Sequence, residues 1–120
     1  DVDVYAPCAL GATINDTTIP RLKATIIAGC ANNQLAESRH GEIIREKGIL
    51  YAPDYVINAG GIINVYYETA PEGYSKEASN KHVEKIFDTL SEIFTRSEKE
   101  QKSTHLIADE LAQEIIENGL

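Results

Sequence analysis

Ala24-Thr25-Ile26-Ile27-Ala28-Gly29-Cys30, followed at once by Ala31-Asn32-Asn33-Gln34, decides how this chain is read. A compact apolar run with β-branched residues at its centre suits a strand buried on both faces, the signature of a parallel sheet. The amides that follow mark the point where the strand ends in a polar turn. Upstream, Val2-Asp3-Val4-Tyr5-Ala6-Pro7 alternates and stops at proline, like a short strand ending in a loop. Downstream, Ile49 to Ile57 returns to strand character, with Pro53 placing an edge or a break inside it.

Helices fill the gaps. Asn15 to Lys23 carries cap-type residues first and bases last, with Pro20 in an early turn. Glu37 to Lys47 turns Ile43 and Ile44 inward, and Gly48 is placed as a left-handed cap. Asn58-Ala59-Gly60-Gly61 then opens a helix through Glu68, directly after the third strand. Strand, loop and helix therefore alternate three times, which predicts parallel strands joined by crossovers. Beyond a loop at Thr69 to Ser75, Val83, Ile86, Phe87, Leu90, Ile93 and Phe94 form a helical stripe between Ser79 and Ser97. Residues 98–103 read as a polar break. Ser103 or Thr104 can cap a last helix with Ile107, Leu111 and Ile115 on its apolar face.

Bulk properties narrow the function. The 120 residues carry a formal net charge of −8, which disfavours a nucleic-acid groove or an anionic membrane surface. Most of the surplus lies after residue 60, on the helices, where it reads as a solvated face. No membrane span and no secretory signal is legible, so a cytoplasmic protein is expected. The chain has no methionine and opens at Asp1, so a piece of a larger protein is expected. Cys8 and Cys30 match no zinc spacing and are expected as small buried hydrophobes in a reducing compartment. His40, His82 and His105 form no His-x-x-x-His pair, and no metal site is expected.

Three clusters at strand ends could carry chemistry. Cys8-Ala9-Leu10-Gly11-Ala12 is either a small-residue loop on which a flat ligand lies or a tight turn. Asn32 and Asn33 offer uncharged donors and acceptors for a carboxamide or carboxylate, while asparagine also tolerates left-handed backbone and caps helices. Asn58 to Gly61 presents a helix start and paired glycines, which suit either close ligand approach or helix–strand packing. Neither G-x-G-x-x-G nor a P-loop is present, and no lysine in the first 75 residues sits in an apolar setting. Such a chain carries half a ligand site without its reacting groups.

Tyr5 to Ala12, Ile27 to Leu35 and Tyr51 to Gly61 together resemble the amino-acid dehydrogenases acting on glutamate, leucine, phenylalanine and valine, with the leucine-acting members nearest. The resemblance implies an α/β fold: the second half of a Rossmann-type doubly wound parallel sheet over residues 1–68, followed by C-terminal helices over 69–120. It implies reversible oxidative deamination of an L-amino acid to a 2-oxo acid and ammonia, with NAD as hydride acceptor. A separate N-terminal substrate domain would hold the catalytic lysines and an aspartate, so no catalytic residue is expected in this chain, and a homo-oligomer is expected of the full-length protein. By this resemblance Cys8, Ala9 and Leu10 lie along the cofactor, with Asn32 and Asn58 near the nicotinamide. Asn33 approaches the substrate carboxylate, and Ile62 and Val65 meet the substrate side chain.

In glutamate-specific relatives a hydroxyl stands at the position of Val65. A carboxylate against Ile62 and Val65 would lose hydration without a partner, at a cost of at least about several kcal/mol. A branched aliphatic side chain would gain roughly 1.5–3 kcal/mol from burial. Leucine is thus expected over glutamate. The other readings are a parent acting on phenylalanine or glutamate, and a non-catalytic module serving assembly or regulation. A spectrophotometric assay separates the enzyme fragment from an autonomous enzyme: the isolated 120 residues are expected to reduce no NAD with leucine, and turnover would sink the fragment reading.

Overall fold

In a computed structural model, residues 2–119 describe one small parallel sheet with helices around it. The strands are short: β1 (Val4–Tyr5), β2 (Ile26–Ile27) and β3 (Leu50–Tyr51). They pair in sequence order, Val4 opposite Ile26 and Tyr5 opposite Ile27, then Ile26 opposite Leu50 and Ile27 opposite Tyr51. A 3-10 turn, Ile19–Arg21, stands where a short helix is expected. The Asn15 side chain there accepts from the N–H groups of Thr17 and Thr18, holding a tight turn rather than starting a longer helix.

The helices are α1 (Arg39–Glu46), α2 (Asp54–Ile57), α3 (Gly60–Glu68), α4 (Lys76–Glu100) and α5 (Thr104–Asn118). Gly48, at φ +77°, takes the left-handed conformation predicted after α1. At Pro53 the strand expectation for 49–57 fails: β3 ends at Tyr51 and the chain turns into α2. Proline cannot donate to the ladder, and the Asp54 carboxylate accepts the Gln34 N–H at 2.9 Å, pulling the chain out of the sheet. The predicted break at 98–103 is also shorter. Helix α4 runs to Glu100 and stops at Gln101, at φ 56°.

Alternation along the strands sorts the core. Ile27 and Tyr51 point to one face and join Ile14, Ile19, Ile44 and Ile49 in the main apolar cluster. Ile26 and Leu50 point the other way and are 36% and 40% exposed. The expected burial on both faces is therefore corrected, because among the described residues the Ile27 side packs with Ile44 of α1 while Ile26 and Leu50 stay partly open. A second cluster joins Ile93 of α4 to Ile107 and Ala108 of α5. Within the α4 stripe only Ile93 is buried, and Phe87 is 76% exposed. Among the described residues no helix is long and apolar enough to cross a membrane.

Polar contacts dock α5 onto the sheet. Thr104 Oγ1 donates to the Tyr51 carbonyl at 2.7 Å, and the Ser103 N–H donates to Glu42 at 3.1 Å. Neither side chain caps the helix as predicted, since the Thr104 hydroxyl is spent on β3 and Ser103 makes no capping bond. The buried His105 ring lies on Gly41, where a Cβ would overlap it, and its Nε2 meets Ser38 Oγ at 2.8 Å. Burial lowers the His105 pKa, while Asp109 and Glu42 oppose the shift.

Two outcomes are expected. At Gly29 a Cβ would overlap the Pro7 backbone, which cannot swing away as a side chain can. Gly29→Ala is therefore expected to destabilise by at least the upper end of the roughly 1–3 kcal/mol typical of overpacking, read as a lower urea midpoint. A histidine whose folded pKa is depressed binds its proton more readily unfolded, so its contribution is intact above the ordinary histidine pKa and lost as pH falls below it. The melting temperature is expected to drop from pH 7 to pH 5, and His105→Gln to drop less over that range.

Candidate functional site

Because the strands are parallel and in register, their carboxyl ends bring three segments side by side: Pro7 to Ala12, Gly29 to Gln34 and Ala52 to Asn58. Main-chain bonds join the first two, with the Ala31 N–H donating to Pro7 O at 2.9 Å and the Ala12 N–H to Asn33 O at 2.7 Å. Gly11 is required there, since a Cβ would stand 2.9 Å from the Asn32 carbonyl. Gln34 is fully buried and its Nε2 donates to Gly29 O at 2.8 Å and Ala31 O at 2.9 Å, bracing the turn from within.

The adjacent amides separate into two roles. Asn33 takes the left-handed conformation, φ 54°, that asparagine tolerates. Asn32 reaches the third segment, where Asn58 Nδ2 donates to its Oδ1 at 2.6 Å and to Cys30 O at 3.2 Å. Neither caps a helix; α1 starts after Ser38. Asn32 and Asn58 share an open cleft of about 520 Å³ with Cys30, Tyr55, Ala59 and Ile62. Asn33 opens instead on a smaller cleft of about 250 Å³ lined also by Asp54, His105 and Asp109. Tyr55 borders both clefts and donates its hydroxyl to Asp109 Oδ1 at 2.6 Å; burial first, then this carboxylate, raises its pKa.

Of the sequence-predicted residues, Asn32, Asn58 and Ile62 therefore come together. Cys8, Ala9 and Leu10 lie exposed on the neighbouring loop, and Val65 stands on α3 one turn past Ile62, outside the cleft lining. Ile62 and Val65 are 74% and 54% exposed, so neither serves packing within the described residues. Two expectations are corrected. Helix α3 does not follow a strand directly, because α2 intervenes. Cys8 and Cys30 are exposed rather than buried, because both lie past the strand ends and not inside the sheet. A Cβ at Gly60 or Gly61 would meet nothing within 4 Å, so packing among the described residues does not call for glycine there.

Reading the sequence missed Gln34, Asp54 and Tyr55. Their types are ordinary, and only the fold joins them to the strand ends. Exposed Asp16 and Glu37 also gather with the buried His40, their ligand atoms within 4.8 Å of one another. There Arg39 binds Asp16 through two nitrogens, at 2.5 and 2.9 Å, and Glu37 at 2.9 Å. This guanidinium first, then His40, lowers the Asp16 pKa. The arrangement is an exposed ion-pair network.

Comparison with known proteins places this geometry. The family model described as Glutamate/Leucine/Phenylalanine/Valine dehydrogenase matches residues 1–117. A leucine dehydrogenase of Bacillus cereus is 58% identical over 116 residues, covering 97% of this chain and 31% of that protein. An L-tryptophan dehydrogenase of Nostoc punctiforme is 52% identical over 120 residues, 99% of this chain and 33% of that protein. The crystal structure of L-tryptophan dehydrogenase from Nostoc punctiforme superposes with a TM-score of 0.92 at 51% identity, covering 98% of this chain and 35% of that one. A glutamate dehydrogenase from Peptoniphilus asaccharolyticus shares the fold, with a TM-score of 0.68 at 20% identity, over 85% of this chain and 27% of that one. The chain spans about a third of the length of the curated relatives it matches. On the match across residues 1–117 and these identities, the chain belongs to the glutamate/leucine/phenylalanine/valine dehydrogenase family.

Proposed function

We propose that this chain is the cofactor-side half of an NAD-dependent dehydrogenase acting on an apolar L-amino acid, with leucine the preferred substrate. Residues 1–68 form the second half of a Rossmann-type domain, and residues 69–120 a helical segment packing on the same enzyme. Three parallel strands paired in sequence order support this, since one half of a doubly wound sheet runs in that way from its switch point. The substrate domain and the catalytic lysines belong to the remainder of the protein.

The single observation carrying the reading is the Asn32–Asn58 pair. One donor of Asn58 and the acceptor of Asn32 satisfy each other at 2.6 Å. The Asn32 amide hydrogens and the Asn58 carbonyl oxygen remain as one donor and one acceptor beside the cleft, which complements a primary carboxamide such as that of nicotinamide. The open side of Gly60 and Gly61, with no contact for a Cβ, leaves room for close approach. These residues fit the cofactor: Asn32 and Asn58 would hold the carboxamide, and the backbone of Cys8, Ala9 and Leu10 would take the rest. When bound, NAD accepts the hydride removed from the substrate α-carbon.

The chain's own part in the reaction is orientation. Gln34 and Asp54 hold the strand-end turn so that Asn32 cannot swing away from Asn58. Asn33 directs a side-chain amide toward the substrate carboxylate. Ile62 and Val65 offer an aliphatic surface from α3, on which a carboxylate would lose hydration without a partner. Relatives named for leucine, tryptophan and phenylalanine, all with apolar side chains, support this substrate class.

The test uses the full-length protein. Asn58→Ala is expected to weaken NADH binding about tenfold, the ~1.4 kcal/mol of one good hydrogen bond, in a fluorescence titration. Unchanged affinity would remove the pair from the cofactor site. In the unsubstituted protein kcat/KM is expected to be highest for leucine among leucine, valine, phenylalanine and glutamate; a preference for glutamate would overturn the substrate assignment.

A further inference from the structure

Cys8 and Cys30 are 22 residues apart, and 22 is also the register offset between β1 and β2, where Val4 opposes Ile26 and Tyr5 opposes Ile27. Past the strand ends the pairing slips by one residue, the Ala31 N–H rather than the Cys30 N–H donating to Pro7 O at 2.9 Å, and the two cysteines follow on the adjoining turns. A disulfide is a short link, bridging Cα atoms roughly 4.4–6.8 Å apart, so it joins only cysteines on adjoining segments such as these. Cys30 Sγ is 4.0 Å from the Cys8 carbonyl oxygen, and both cysteines are exposed. The Cys30 thiol pKa is raised, first by its hydrogen bond to the Cys8 side chain, in which Cys30 keeps the proton and donates.

We infer that Cys8 and Cys30 form a reversible dithiol–disulfide pair that fastens the Cys8–Ala12 loop to the end of β2 when the protein meets hydrogen peroxide. One thiolate attacks a peroxide oxygen, the O–O bond breaks, and a sulfenic acid and water result. The second thiol then attacks that sulfur, the S–S bond forms, the S–O bond breaks and a second water leaves. Two thiols lose two electrons and the peroxide is reduced to two waters. A thiol reductant reverses the step by exchange. The bridge spans the same strand ends that the proposed cofactor contacts occupy, so the inference adds a modification site to that face. Its chemistry does not depend on the cofactor reading, whereas its link to cofactor binding does.

The experiment treats the reduced full-length protein with hydrogen peroxide, alkylates residual thiols and maps tryptic peptides without reduction. The Ala24–Arg39 peptide is expected linked to the peptide containing Cys8, two hydrogens lighter than their sum and released by dithiothreitol. Recovery of both cysteines alkylated, over-oxidised without a link, or bonded to other cysteines would overturn the pair. Cys30→Ser, close to isosteric, is expected to abolish the linked species and leave oxidised Cys8 unlinked; an unchanged linked species would overturn it too. Repeating the oxidation with saturating NAD is expected to slow linkage at least threefold. If linkage forms at an unchanged rate, the dithiol pair stands and the placement of Cys8 along the cofactor falls.

Discussion

Parallel pairing with an unbroken register is the constraint on which the rest of this structure depends. Each strand contributes only two residues to the ladder, yet the pairing aligns three chain segments so that all their carboxyl ends meet at one edge. The Ala28 N–H to Tyr5 O bond at 3.0 Å and the Ala52 N–H to Ile27 O bond at 2.9 Å extend the strands into the turns. A slip of one residue would turn Ile27 and Tyr51 out of the core and move Asn32 and Asn58 apart. The site is therefore a consequence of main-chain hydrogen bonding before it is a matter of side chains.

Buried polar groups then make that edge rigid. Gln34 satisfies two carbonyls of its own turn, and Asp54 takes the Gln34 N–H and the Tyr55 N–H at 2.9 and 2.6 Å. The two Gln34 side-chain bonds are buried, so removing that amide would leave carbonyls unsatisfied in the interior, while the Asp54 bonds lie nearer the surface. Rigidity here suits a face whose proposed work is to orient a cofactor and a substrate rather than to react with them. The helices beyond residue 69 support this edge from one side. Thr104 reaches β3 and Ser103 reaches α1, while within the apolar stripe of α4 Ile93 is buried and Phe87 stays exposed.

The family assignment and this architecture agree at a coarse level, and the divergences are instructive. Expected burial of the sheet on both faces was an inference from Ile26 and Ile27 standing together. The pleat sends them to opposite faces, and among the described residues Ile27 is buried while Ile26 stays partly open. The strand expected through Ile57 ended at Pro53 because proline lacks the donor and Asp54 has a better partner across the edge. Both errors arise where a local pattern meets a contact that is remote in sequence.

Much was legible before any coordinates. Alternating strands and helices, the left-handed Gly48, the long C-terminal helices and the three strand-end clusters follow from periodicity and turn chemistry, which act over a few residues. Asn32 and Asn58 were identifiable as candidates by residue type and position, and Ile62 through the family resemblance. That Asn32 pairs with Asn58 while Asn33 turns to a separate cleft, that Gln34 and Tyr55 belong to the site, and that the Cys30 sulfur comes to the Cys8 carbonyl, was decided only by the tertiary structure. These contacts span 20 or more residues of chain or depend on which face a turn presents, and only the register between strands converts such separations into distances. The sequence by itself determined the elements and the chemistry they could bear; lateral pairing of those elements determined which groups meet.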